Sequence, residues 1–156
     1  MPFVSRLGLE QIAVSPDWQN FDATVDGLVR LLVRAGQVSA EAHEPVTAAV
    51  RAREAEASTA ILDIGVGIPH ARVDQVAAPS VALAVHADGV YRSVPTAPIR
   101  IVALVLSPTT AIEEHLRTLA DVATLLHSGA LRALLLRAED QGTALAALVR
   151  FARGLP

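Results

Sequence analysis

A chain of 156 residues that is 52% hydrophobic and 19% charged has the size and composition of one globular domain with its own core. It contains no Cys, which excludes disulfides, thiolate metal sites and cysteine nucleophiles together and fits a reducing, cytoplasmic compartment. Its net charge is -3, its basic residues are all Arg, and its one Trp, one Tyr and three Phe offer no stacking surface, so no nucleic acid is expected as a partner.

Mean hydropathy is positive, at +0.42. The longest apolar runs, such as Ile101 to Leu106, are nevertheless far too short to span a bilayer, so direct membrane insertion is not expected. Met1 to Leu9 lacks a basic stretch followed by an apolar block, so it does not read as an export signal.

In chain order, Ile12 to Val14 is a short apolar run ended by the Pro16-Asp17 turn, and reads as a strand. From Thr24 to Ala35, Val25, Leu28, Val29 and Leu32 recur at helical spacing, and Gly36 follows as a C-terminal cap. Ser39 is placed to cap a second helix, on which Val46, Ala49, Val50 and Arg53 share a face through Glu54. Ala60 to Ile64 reads as a strand entering the loop Gly65-Val66-Gly67-Ile68-Pro69-His70, where two glycines and a proline end regular structure.

Pro79 to His86 alternates Val81, Leu83 and Val85 with Ala82 and Ala84, as a strand does. Ile99 to Leu106 is almost continuously apolar, which fits a strand covered on both faces. Thr110 and Glu113 fit a capping box, after which Ile112, Leu116, Leu119, Ala123 and Leu126 mark one helix face until Gly129. Two more helical stretches, Leu131 to Arg137 and Thr143 to Ala152, close the chain. Helix pairs around a small block of strands predict an α/β fold: one layered domain over residues 1–156, with a small mixed sheet flanked by helices.

The chemistry concentrates in Arg53-Glu54-Ala55-Glu56-Ala57-Ser58-Thr59 and in the loop that ends at His70. A histidine after proline in a glycine-containing loop is often only a solvent-facing residue, and Gly-x-Gly alone says little. The combination is more specific. An Arg-Glu pair, then a Ser-Thr pair, then a glycine-containing stretch closing on Ile-Pro-His resembles the signature of phosphotransferase system enzyme IIA, of the fructose/mannitol/nitrogen-regulatory type. The resemblance extends to the His-Leu segment at His115 and the terminal helices, over about residues 9–153.

The resemblance implies that His70 accepts a phosphoryl group, and the residue chemistry agrees. Neutral imidazole can attack phosphorus through one nitrogen and return the group as a reactive phosphohistidine. Its ordinary pKa of about 6.5 leaves much of it neutral near pH 7. Pro69 and the restricted Ile68 give His70 a stiff platform, and N–H groups near Gly65 and Gly67 can face phosphate oxygens.

His115 matches the family's second histidine and is expected to support the phosphate or His70, with a boundary histidine bonded within the core as the alternative. Arg53 is expected to steady phosphoryl charge, with Glu54 orienting it; an ordinary helix-end ion pair is the plainer reading. Ser58 and Thr59 are candidate phosphate hydroxyls, although Ser-Thr before a strand is also common turn chemistry. His43 and His86 fall outside the signature, His127 is placed to cap a helix C-terminus, and the five histidines show no zinc spacing.

No cofactor and no metal are expected. The implied function is that of a phosphocarrier, a phosphotransferase component that takes phosphate from a histidine-containing phosphocarrier protein. Its output is expected to be regulatory, as in the nitrogen-type proteins and toward a regulated protein. The alternatives are delivery to an enzyme IIB in fructose/mannitol-type sugar uptake, and a non-catalytic interaction module. The stretch Ala60-Ile61-Leu62-Asp63-Ile64 before Gly65 is one residue longer than the family pattern, so a bulge or loop must absorb a residue that would otherwise reverse side-chain facing.

Overall fold

The structure, a computed structural model, describes residues 1–154. The first element is a short helix that the hydrophobic pattern does not reveal, α1 (Pro2–Ser5). Strand β1 (Ile12–Val14) follows where it is expected. Helix α2 (Phe21–Arg34) opens at Phe21 rather than Thr24 because the Asn20 side chain accepts a hydrogen bond from the Ala23 N–H at 2.8 Å. It ends against Gly36, which takes φ +76°.

Helix α3 (His43–Glu56) is not capped by Ser39, whose side chain makes no capping bond; a 3-10 turn over Ala40–Ala42 lies between them. His43 pins the start of α3 to α2, with Nε2 3.1 Å from Asp26 Oδ1.

The stretch after α3 corrects the sequence reading. Strand β2 is only Ala60–Ile61, and the chain then turns through Leu62 to Gly65 into β3 (Val66–Gly67), which pairs antiparallel with β2. The segment expected as a glycine loop is therefore largely extended, and it continues after Pro69 as β4 (His70–Arg72). Gly65 makes the hairpin turn possible: its φ is +66°, and its carbonyl accepts from Arg100 N at 2.8 Å.

Strand β5 (Ser80–Val85) is as expected. The apolar run expected from Ile99 to Leu106 divides at Arg100: Ile99 ends β7 (Ala97–Ile99), which pairs with β6 (Tyr91–Val94) in a separate two-stranded ribbon, and β8 (Ile101–Ser107) enters the main sheet. The main sheet has the order β1-β5-β8-β3-β2, with β4 also paired to β8. β8 is antiparallel to β5 and parallel to β3 and β4, so the sheet is mixed.

Every residue of β8 is buried, and their alternation explains why. Ile101, Ala103 and Val105 face a cluster with Val122, Leu125, Leu131 and Leu148, whereas Val102, Leu104 and Leu106 face Val25, Leu28, Val46 and Val50. Helices therefore cover both sides. α2 and α3 form one layer; α4 (Ile112–Leu126), α5 (Gly129–Arg137) and α6 (Gln141–Ala152) form the other.

The Thr110/Glu113 capping box does not form, because α4 has Ala111 at its N-cap and no side-chain capping bond. The buried face of α4 also differs from the expected one: His115, Thr118, Val122, Leu125 and Leu126 point inward, while Ile112 and Leu116 are 54% and 61% exposed. His127 is the C-cap residue of α4, as its position predicts. Among the described residues no single helix is long and apolar enough to cross a membrane.

Candidate functional site

β4 begins at His70, and register fixes where the ring stands. On either side of Pro69 the pairing to β8 keeps the same offset: Gly67 faces Val102 and His70 faces Val105. Pro69 has no N–H to give, but its carbonyl accepts from Val105 N at 3.0 Å. His70 is thus attached to the central strand of the molecule.

His70 Nδ1 lies 2.9 Å from the Ile68 carbonyl oxygen. A carbonyl can only accept, so Nδ1 carries a proton, and in the neutral ring Nε2 is the nitrogen that holds the lone pair. The ring is half-buried.

His115, in the first turn of α4, faces it: the ring centroids are 5.5 Å apart and the planes are tilted by 55°. His115 is 6% exposed, and its Nδ1 lies 2.7 Å from the hydroxyl of Ser107, the fully buried last residue of β8. Burial, helped by the nearby His70 and the Arg72 guanidinium, lowers its pKa to about 4. At neutral pH His115 is an uncharged ring. Ser107 has a strong local signal only in retrospect, as the polar residue that ends an apolar strand.

Arg53, Ser58 and Thr59 are placed around the C-terminus of α3, and among the described residues none of them hydrogen-bonds to either histidine. Arg53 Nη1 donates to the Ala57 carbonyl at 3.4 Å. Glu54 does not pair with Arg53; it accepts from Thr59 N at 2.7 Å and from the Thr59 hydroxyl at 2.8 Å, so that hydroxyl's proton is already engaged. Ser58 Oγ accepts from Ala60 N at 3.2 Å. Glu54 and the Ser-Thr pair therefore tie the helix end to the hairpin.

Tyr91, on β6, also bears on the hairpin. It packs edge-on against Phe21 with centroids 5.3 Å apart, is 4% exposed, and its hydroxyl has no partner among the described residues. Burial first and the Glu54 carboxylate second push its phenol far above the ordinary value. A Cβ on Gly67 would lie 2.8 Å from that hydroxyl, so the glycine is required for the close approach.

Among the described residues no cluster of three or more His, Cys, Asp or Glu could hold a metal ion. A cleft of about 560 Å³ between α1 and the start of α4, lined in part by Arg6, Glu114 and Arg117, includes neither histidine. What the two rings can do together is nucleophilic chemistry: Nε2 of the neutral His70 ring, on a fixed strand, would attack while a second, neutral imidazole faces it.

The family model described as Phosphoenolpyruvate-dependent sugar phosphotransferase system, EIIA 2, matches residues 7–150. The fructose-specific EIIA component of the phosphotransferase system of Haloferax volcanii is 32% identical over 136 residues, 86% of each chain. The nitrogen regulatory protein IIA-Ntr of Neisseria meningitidis has a TM-score of 0.77 at 25% identity, over 95% of this chain and 99% of its own. Enzyme IIA mannitol of Escherichia coli, solved in complex with phosphorylated enzyme IIB mannitol, has a TM-score of 0.75 at 20% identity, over 92% and 96%, a likeness of fold. The family match spans both histidines and nearly every element that carries them, and the chain belongs to the EIIA 2 family of the phosphoenolpyruvate-dependent sugar phosphotransferase system.

Proposed function

We propose that this chain carries a phosphoryl group on Nε2 of His70, taken from a histidine-containing phosphocarrier protein. The observation that supports the reading is the 2.9 Å contact between His70 Nδ1 and the Ile68 carbonyl, which puts a proton on Nδ1 and so favours Nε2 as the nucleophile of the neutral ring. The Nε2 lone pair forms the new N–P bond as the donor's N–P bond breaks, and that bond's electron pair returns to the donor imidazole. The positive charge that develops on the His70 ring is shared with Ile68 O through the Nδ1 proton.

His115 acts as a neutral donor in this scheme. In this reading the Ser107 hydroxyl, 2.7 Å from His115 Nδ1, donates to that nitrogen, which puts the ring proton on Nε2 and makes it available to a phosphoryl oxygen. Arg53, whose one hydrogen bond among the described residues is the 3.4 Å contact to Ala57 O, is assigned to the phosphoryl charge in this scheme, with Ser58 and Thr59 at the hairpin base. Exposed Ile112 and Leu116 flank His115 on α4 and give a protein donor an apolar landing surface.

The destination of the phosphate has two readings. A regulatory, nitrogen-type output is supported by the likeness to IIA-Ntr. Delivery to an enzyme IIB in sugar uptake is supported by the fructose-specific relative at 32% identity.

Incubation with enzyme I, the phosphocarrier protein, magnesium and labelled phosphoenolpyruvate should give an acid-labile label on the parent chain and none on His70→Ala. Label retained by His70→Ala removes His70 as acceptor, and a parent that never takes label supports the interaction module. Rapid discharge by a fructose-type enzyme IIB would identify relay; label that no enzyme IIB discharges would identify regulation.

A further inference from the structure

The fold sets a cation beside the two histidines that the signature residues do not include. His70 and Arg72 share one face of β4, because Ala71 between them is buried in the opposite cluster with Leu104 and Leu106. Register pairs Arg72 with Ser107 across the parallel ladder, so their side chains leave the sheet side by side, and Ser107 is the residue that holds His115. Arg72 Nη1 donates to the Thr109 carbonyl at 3.3 Å, in the connection that leads from β8 into the helix bearing His115.

No carboxylate among the described residues pairs with the Arg72 guanidinium. Asp74, the nearest acid along the chain, takes the Thr109 hydroxyl instead. Arg53 differs: its guanidinium is turned to the end of its own helix.

We propose that Arg72 is a phosphate-binding catalytic residue of this site, its guanidinium taking oxygens of the phosphoryl group as the group arrives on His70. This rests on the phosphocarrier reading. A guanidinium offers several N–H donors in a rigid fork that suits phosphate oxygens, and the exposed Arg72 gives up only one long hydrogen bond to use them. Its charge has a second effect in the resting protein: together with burial and His70 it disfavours a proton on His115, which keeps that ring a neutral donor.

The test uses Arg72→Gln and Arg72→Lys beside the parent and Arg53→Gln. Labelling from the phosphocarrier protein should be slowed by about tenfold to a hundredfold in Arg72→Gln, partly restored in Arg72→Lys, with the same final extent. The histidine ring signals of unlabelled protein, followed by NMR during titration with inorganic phosphate, should shift in the parent and shift much less in Arg72→Gln. The His115 titration midpoint should rise in that variant because a nearby positive charge is lost, whereas the phosphate-dependent shift is the readout that a merely structural arginine would not move.

Parent-like labelling by Arg72→Gln overturns the proposal even if His70 is the acceptor. If the parent takes no label, the acceptor reading falls and the phosphate titration decides: equal ring shifts in parent and variant overturn the proposal, and shifts lost on Arg72→Gln uphold Arg72 as an anion ligand.

Discussion

His115 is a buried imidazole whose charged form the fold resists, and this links stability to acid. Its pKa is about 4 in the folded chain against about 6.5 in an unfolded one. The folded state therefore binds the proton less readily than the unfolded state does. The contribution of His115 is fully present above about pH 6.5 and is lost as pH falls toward 4, on the order of 3 kcal/mol across that window. Thermal unfolding followed from pH 7 to 4 should show this decline, and His115→Asn, which keeps a polar atom near Ser107 without titrating, should show a shallower one. Equal slopes would mean that His115 is not the group responsible.

The same residue separates catalytic from structural roles. A donor aimed at developing charge contributes about 3 kcal/mol to the transition state, roughly a hundredfold in rate, whereas one ordinary hydrogen bond contributes about 1 kcal/mol to folding. His115→Ala should therefore lower labelling by about a hundredfold at temperatures where it remains folded, beyond the stability cost of about 1–3 kcal/mol that the orphaned Ser107 hydroxyl imposes at pH 7. A clear fall in melting temperature with unchanged labelling would make His115 structural. The pair of histidines was legible in the sequence because both belong to local motifs. Ser107 and Arg72 were not, since their relation to His115 exists only through the register of β4 on β8.

At the scale of elements, the segment from β2 to β4 decides where His70 points. Sequence periodicity suggested one strand from Ala60 to Ile64 and a loop thereafter, because the run is apolar and the glycines look like breakers. The ladder is set instead by β8, far along the chain, which pairs Val66 with Ile101 and Gly67 with Val102; Ala60 and Ile61 then fold back onto Gly67 and Val66, and the turn closes through Gly65 N to Ile61 O at 3.0 Å. Local pattern cannot show that pairing. Two glycines carry the cost of it.

A residue with a side chain at Gly65 would have to hold φ +66° with its Cβ 3.2 Å from Pro98 O. Gly65→Ala should therefore lose at least about 1 kcal/mol. Gly67→Ala would press a methyl group onto the Tyr91 hydroxyl at 2.8 Å, within the layer where Tyr91 meets Phe21, and should lose about 1–3 kcal/mol. Urea denaturation of both variants would measure this, and a stability within 0.5 kcal/mol of the parent at Gly67, about the level of an ordinary surface change, would show that Tyr91 moves aside freely.

For the whole molecule, the central strand and the exposed edge of α4 divide stability from encounter. Leu104 lies in the middle of β8, fully buried between the sheet and the α2–α3 layer. Truncating it removes apolar contacts that no neighbour can replace without opening a void, so Leu104→Ala should cost about 2–5 kcal/mol. Leu116 is 61% exposed, one residue beyond His115, and contributes little to that core. Leu116→Ala should leave the urea midpoint close to the parent's, since exposed positions change stability by less than about 0.5 kcal/mol.

If phosphate arrives from a protein that lands beside His115, the loss at Leu116 should appear in transfer instead. Labelling should slow at low donor concentration and recover when the donor is raised, because an apolar docking contact changes encounter and not the chemistry at His70. Labelling of Leu116→Ala at parent rate across the donor range would place the docking surface elsewhere. The melting measurements on Leu104→Ala then serve as the contrast: a variant of lowered stability with normal transfer below its melting temperature is what a core defect on the face of the sheet turned away from His70 should produce.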